Sequence, residues 1–174
     1  LETFADLDTP RSIYLKLAEG PHSYLLESVQ GGERFGRYSF IGLTTPTRIA
    51  VTGSTILLLS GNRVAERREH TNPISFVSEF MARFKVPDIP GLPRFCGGLV
   101  GYFGYDTVRF IEPKLADTHK PDALGVPDIL LLLSEEIAIV DNLSGKLTLV
   151  VYAEPGFPGA WRHAQARLKE LLAK

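Results

Sequence analysis

The chain has 174 residues, 44% of them hydrophobic and 22% charged, enough apolar material for one sizeable core and the composition of a soluble globular domain spanning 1–174. Nineteen Lys and Arg against twenty Asp and Glu give a net charge of −1, which argues against nucleic acid and anionic membrane surfaces as partners. Cys96 is the single cysteine and cannot close an internal disulfide; with no leader-like or membrane-length apolar run, the chain reads as cytoplasmic. Four histidines, His22, His70, His119 and His163, are scattered without ligand spacing, so they suggest no metal site.

In chain order, Thr9-Pro10 reads as a cap followed by proline in the first turn, and Ile13, Leu17 and Ala18 fall on one face of a short helix that runs to Glu19. Gly20-Pro21 ends it. Ser23–Ser28, with Tyr24, Leu25 and Leu26 at its centre, reads as a strand, Gly31-Gly32 as a turn, and Tyr38–Leu43 as a second strand. Thr47–Val51, Thr55–Leu59 and Arg63–Glu69 follow as a meander, turned at Gly53-Ser54 and Gly61-Asn62. In the last of these, Glu66 and Glu69 interrupt Arg63, Arg67 and Arg68, as in a solvated strand of mixed charge.

Asn72-Pro73 repeats the cap-plus-proline signal, and Phe76, Val77, Phe80, Met81 and Phe84 recur at helical spacing as a core stripe. After the rigid connector Pro87–Pro93, the strand Phe95–Tyr105 carries glycines at 97, 98, 101 and 104. Their spacing fits no nucleotide-binding fingerprint, and glycine inside a strand marks a bulge or close backbone approach. Thr107–Ile111 reads as a helical turn. Pro113–Pro127 reads as a polar loop, in which Asp117, His119, Lys120 and Asp122 are solvated rather than catalytic. Ile129–Ser134, Glu136–Asp141 and Lys146–Tyr152 are strands, the last two joined through the Asn142–Gly145 turn. Pro158-Gly159 opens a final helix with Trp161, Ala164, Leu168, Leu171 and Leu172 on its apolar side. Short links and the absence of βαβ alternation define the class as α+β, mainly antiparallel sheet flanked by helices. The start without methionine and the charged end at Leu168–Lys174 suggest a segment of a longer polypeptide.

Three separated stretches, in order, carry a family resemblance. They are LLES at Leu25–Ser28 with GGERFGRYSFIG at Gly31–Gly42, GGLVGYFGYDTVRFIE at Gly97–Glu112, and PDILLLLSEEIAIVDN at Pro127–Asn142. Together they resemble the N-terminal, tryptophan-sensing domain of anthranilate synthase component I. The resemblance implies a lyase of tryptophan biosynthesis that makes anthranilate from chorismate, with ammonia handed over by a glutamine amidotransferase subunit. It also implies two antiparallel sheets packed face to face. The C-terminal chorismate-binding domain, which lies outside this chain, would hold Mg²⁺ and the catalytic groups. No catalytic or metal-binding residue is then expected in 1–174, and the piece alone is expected to be inactive. Aminodeoxychorismate synthase component I, of the folate pathway, is the neighbouring alternative, and GRYSFIG and GYFGYD incline away from it. A freestanding amino-acid-binding module is the alternative from another class.

In the same family the LLES stretch forms part of the allosteric site for feedback inhibition by L-tryptophan. Such a pocket needs an acceptor for the ammonium, donors for the carboxylate and apolar walls for the indole. Leu26, Glu27 and Ser28 supply all three kinds. In a regular strand Glu27 would face away from the other two, so either the strand ends near Glu27 or one residue acts through its backbone. Arg37, Tyr38 and Ser39 complete the set: Tyr38 for the indole edge, Arg37 for the ligand carboxylate or for an ion pair with Glu33. Leu25 reads as core. Coupling of ~1–3 kcal/mol between this pocket and the chorismate site would suffice for inhibition, and places the pocket where the domain meets the rest of the polypeptide.

Overall fold

Two helices begin where a side chain meets the first unpaired N–H groups. In the computed structural model, which describes residues 1–5, 7–18, 20–28, 36–116 and 124–174, the Ser12 N–H donates to Thr9 Oγ1 at 3.1 Å and the Thr9 N–H to Ser12 Oγ at 2.9 Å. This reciprocal cap starts α1 (Pro10–Leu17). Asn72 Oδ1 accepts from the N–H groups of Ile74 and Ser75 and starts α2 (Pro73–Met81) in the same way. Helix α3 (Ala160–Leu172) follows Gly159, whose φ of +79° suits glycine.

Among the described residues, ten strands make two five-stranded antiparallel sheets. The first has the order β1-β10-β9-β3-β2, from Glu2–Phe4, Lys146–Val151, Glu136–Asp141, Tyr38–Gly42 and Tyr24–Leu26. The second has the order β6-β5-β4-β8-β7, from Arg63–Glu69, Thr55–Ser60, Thr47–Thr52, Ile129–Ser134 and Gly98–Phe103. The chain divides accordingly into two compact units. One holds Leu1–Thr45, Pro93–Gly97 and Ser134–Lys174; the other holds Pro46–Leu92 and Gly98–Leu133.

In the first unit, Leu25, Ile41 and Ala138 stand in cross-strand register on one face. Together with Val140 and Leu149 they bury against Ile13, Leu17 and Ala18, and against Leu171 of α3. The period-2 strand pattern and the period-3.6 helix pattern thus meet in one core. Tyr24, Leu26, Tyr38 and Phe40 alternate onto the opposite face. Strand β1, an edge strand of three residues, has no counterpart in the sequence reading.

In the second unit, Ile49, Val51, Ile56, Ile129, Leu131 and Leu133 bury against Phe76 and Phe80 of α2. The hairpins turn at Gly53 and Gly61, with φ of +56° and +58°. At the sheet edge, β6 is exposed and charged, with Arg68 paired to Glu66 and Arg67 to Glu69, which blunts the edge. The glycine-rich strand is a close approach: a Cβ on Gly101 would lie 1.9 Å from the Leu130 carbonyl oxygen. Tyr105–Phe110 forms a 3₁₀ turn.

Three sequence expectations need correction. Trp161 and Leu172 are exposed, so only Ala164, Leu168 and Leu171 form the inner side of α3; the helix lies on the sheet along a stripe narrower than its apolar content. Phe84 falls beyond the end of α2 and is exposed. Helix α1 stops at Leu17, with Ala18 as its cap. No helix among the described residues is long and apolar enough to cross a membrane.

Candidate ligand site

The two stretches singled out in the sequence are partners in one ladder. Strand β2 pairs with β3 through Tyr24↔Gly42, Leu25↔Ile41 and Leu26↔Phe40. It ends at Leu26, so Glu27 and Ser28 leave the strand and are exposed. The strict alternation that would have separated Glu27 from Leu26 and Ser28 therefore stops where it would matter.

Leu26, 45% exposed, shares its face with Phe40 and Tyr38. The Tyr38 and Phe40 rings are 6.1 Å apart, and Phe95, from the Pro93–Gly97 segment, meets Phe40 edge-on at 5.3 Å. All three rings are half-buried, which makes a short aromatic wall beside an exposed leucine.

Arg37 lies over this wall, its guanidinium carbon 4.9 Å from the centre of the Tyr38 ring. Its Nε donates to both carboxylate oxygens of Asp141 at 3.1 and 3.2 Å, and its Nη2 to Oδ2 at 2.8 Å. The Arg37 guanidinium holds the Asp141 carboxyl well below its ordinary value, at about 2. Glu33, the partner weighed from sequence, lies outside the described residues. Asp141 was invisible as a partner because it is 104 residues away, although it lies within the third family-like stretch.

Ser39 is different. Alternation turns its side chain to the helix-covered face, where it is 1% exposed and its Oγ accepts from Asn142 Nδ2 at 3.0 Å. Its side chain therefore stands across the sheet from Leu26 and Tyr38. The same Asn142 Nδ2 donates to the Gly36 carbonyl at 3.1 Å, and the Asn142 N–H to the Arg37 carbonyl at 2.7 Å. Asp141 and Asn142 thus fasten the entry of β3 by side chain and backbone together. Among the described residues, no cluster of His, Cys, Asp and Glu could hold a metal ion.

The β2–β3 pair offers an exposed cation over an apolar wall, and an exposed acid directly after the end of β2, residue types that would meet a zwitterion with a large apolar side chain. No family model matches the chain. Among solved structures, anthranilate synthase component I from Streptococcus pneumoniae aligns with 97% of this chain and 36% of its own, with a TM-score of 0.55 and 23% identity. That likeness establishes the class of fold, α+β with two antiparallel sheets and flanking helices. Sequence relatives go further. Anthranilate synthase component 1 of Pseudomonas aeruginosa is 54% identical over 173 residues, and that of Neisseria meningitidis serogroup B 53% over 173; that of Aquifex aeolicus is 38% identical over 184. The chain belongs to the anthranilate synthase component I family and corresponds to the N-terminal part of its members. It spans 35% of the length of these relatives while being covered itself to 98% or more.

Proposed function

We propose that this chain is the feedback-sensing part of an anthranilate synthase component I, and that it binds L-tryptophan at Leu26–Ser28 and Arg37–Tyr38. The observation that carries the reading is the pairing of β2 with β3, which sets Leu26 on one face with the half-buried rings of Tyr38 and Phe40 and the Arg37 guanidinium over Tyr38, while the exposed Glu27 follows directly on the end of β2. Glu27 takes the ligand ammonium, Arg37 its carboxylate, and Leu26, Tyr38, Phe40 and Phe95 the indole. Ser28 adds a hydroxyl, and Ser39 acts through its backbone.

Catalysis then belongs to the remaining two thirds of the polypeptide, which would hold Mg²⁺ and the acid–base groups needed to make anthranilate from chorismate with ammonia from a glutamine amidotransferase subunit. The 174-residue piece alone is then inactive. Tryptophan inhibits by binding one arrangement of the full chain more tightly than the other; a ligand with equal affinity for both would shift nothing. The relatives described above carry the anthranilate synthase name, which favours this reading over aminodeoxychorismate synthase.

The test is anthranilate formation by the complete polypeptide, with and without L-tryptophan, beside the isolated piece. Inhibition by L- but not D-tryptophan, and no turnover by the piece, are expected. Turnover by the piece, or a complete enzyme indifferent to L-tryptophan, would refute the respective half of the proposal.

A further inference from the structure

An arginine that is to recognise a ligand carboxylate must be held in place, because an unrestrained side chain spends rotamer entropy on binding. Arg37 is the cation of the ligand site, and two of its nitrogens are already committed. Nε and Nη2 grip Asp141 in a forked ion pair at 2.8 to 3.2 Å, while Nη1 makes no hydrogen bond among the described residues. The Asp141 carboxylate is 13% exposed and the Arg37 side chain 44% exposed. The acid is thus the less exposed anchor and the guanidinium the part that reaches outward. Asp141 is itself fixed, since its Oδ1 accepts from the Leu143 N–H at 3.1 Å.

We infer that Asp141 is a positioning residue for recognition of the ligand's carboxylate: it fixes the Arg37 guanidinium over Tyr38 with its Nη1 edge turned to the ligand. This inference rests on the tryptophan reading of the site. An ordinary ion pair at a strand end would look similar, but here the backbone does not need it. Asn142 independently holds the carbonyls of Gly36 and Arg37 through its side chain and its N–H. Replacing the carboxylate therefore releases the guanidinium without releasing β3.

The experiment is calorimetric titration of the complete component I polypeptide with L-tryptophan and with tryptamine, which keeps the indole and ammonium and lacks the carboxylate. In the unaltered protein L-tryptophan is expected to bind more tightly than tryptamine. Asp141→Asn is expected to weaken L-tryptophan about tenfold, the scale of one charge-assisted fork, and to leave tryptamine as it was. Asp141→Glu is expected to recover most of the loss. Equal weakening of both ligands would show that Asp141 acts through packing and would overturn the assignment, as would no weakening of either. An unaltered protein that binds no L-tryptophan would overturn the reading of the site itself, an outcome distinguishable because it appears before any substitution is made.

Discussion

The ring of Tyr24 occupies the space that a side chain on Gly42 would need. The two residues are cross-strand partners in β2 and β3, and a Cβ built on Gly42 would lie 1.9 Å from a ring carbon of Tyr24. The ring cannot simply swing away, because its hydroxyl shares a 2.7 Å hydrogen bond with the Ser134 hydroxyl, and burial raises the phenol above its usual range. Gly42→Ala is expected to destabilise the protein by about 1–3 kcal/mol, the cost of overpacking a fitted site. Tyr24→Ala in the same chain should recover part of that cost, and a double-mutant cycle by urea unfolding measures it. Strict additivity would show that the ring yields freely.

Gly101 and Gly156 offer a cleaner contrast. A methyl group at Gly101 would meet the backbone of Leu130, whereas at Gly156 it would meet nothing within 4 Å. Gly101→Ala should cost about 3 kcal/mol, since a backbone cannot rotate aside as a side chain can. Gly156→Ala should stay within about 0.5 kcal/mol. Thermal unfolding of the two variants side by side decides, and similar midpoints would contradict the close packing of β7 on β8.

Acid should weaken the protein through Asp141. Its carboxyl titrates at about 2 in the fold and at the ordinary 3.8 when unfolded. A group whose folded value is depressed contributes stability above the unfolded value and loses it as pH falls towards the folded one. The window is therefore pH 4 down to 2 for this group. Because its Arg37 partner is 44% exposed and screened by solvent, the contribution is about 1 kcal/mol rather than the full shift. Denaturant midpoints for the unaltered protein and Asp141→Asn should differ at pH 5 and converge at pH 2. A constant difference would assign the effect to something other than titration.

Glu27 tests the ammonium end of the ligand site. In the complete polypeptide, Glu27→Ala should raise the tryptophan concentration needed for half inhibition by tenfold or more, about 1.4 kcal/mol or above, the range of hydrogen bonds to charged groups. Glu27→Gln should fall between the two. Steady-state rates at a series of tryptophan concentrations, each referred to that variant's own uninhibited rate, give the answer. Unaltered inhibition in Glu27→Ala would remove Glu27 from the site.

The local features were readable from residue order because their physics is local. Thr9-Pro10 and Asn72-Pro73 start helices through bonds spanning two or three residues, and Gly53, Gly61 and Gly145 adopt the positive φ that tight turns demand. The apolar runs at Tyr24–Leu26 and Tyr38–Leu43 read as strands, and the family resemblance pointed to Leu26–Ser28 and Arg37–Ser39 as residue types that suit a zwitterion. Residue order could not supply the partners. Strand β3 joins β9, and β1 joins β10, across more than ninety residues, and nothing within three residues of Glu2–Phe4 distinguishes an edge strand from a tail. Sequence distance likewise hid Asp141 from Arg37 and Phe95 from Phe40, whereas Ser39 lies on the far face by the alternation of β3 itself. Turns, caps and periodicity are decided by neighbours along the chain, so the sequence by itself determined the α+β class and every strand but β1, with the helices placed to within their ends. Ion pairs, aromatic walls and burial depend on which strands lie side by side; only the tertiary structure decided how Arg37 is held and which of its companions share its face.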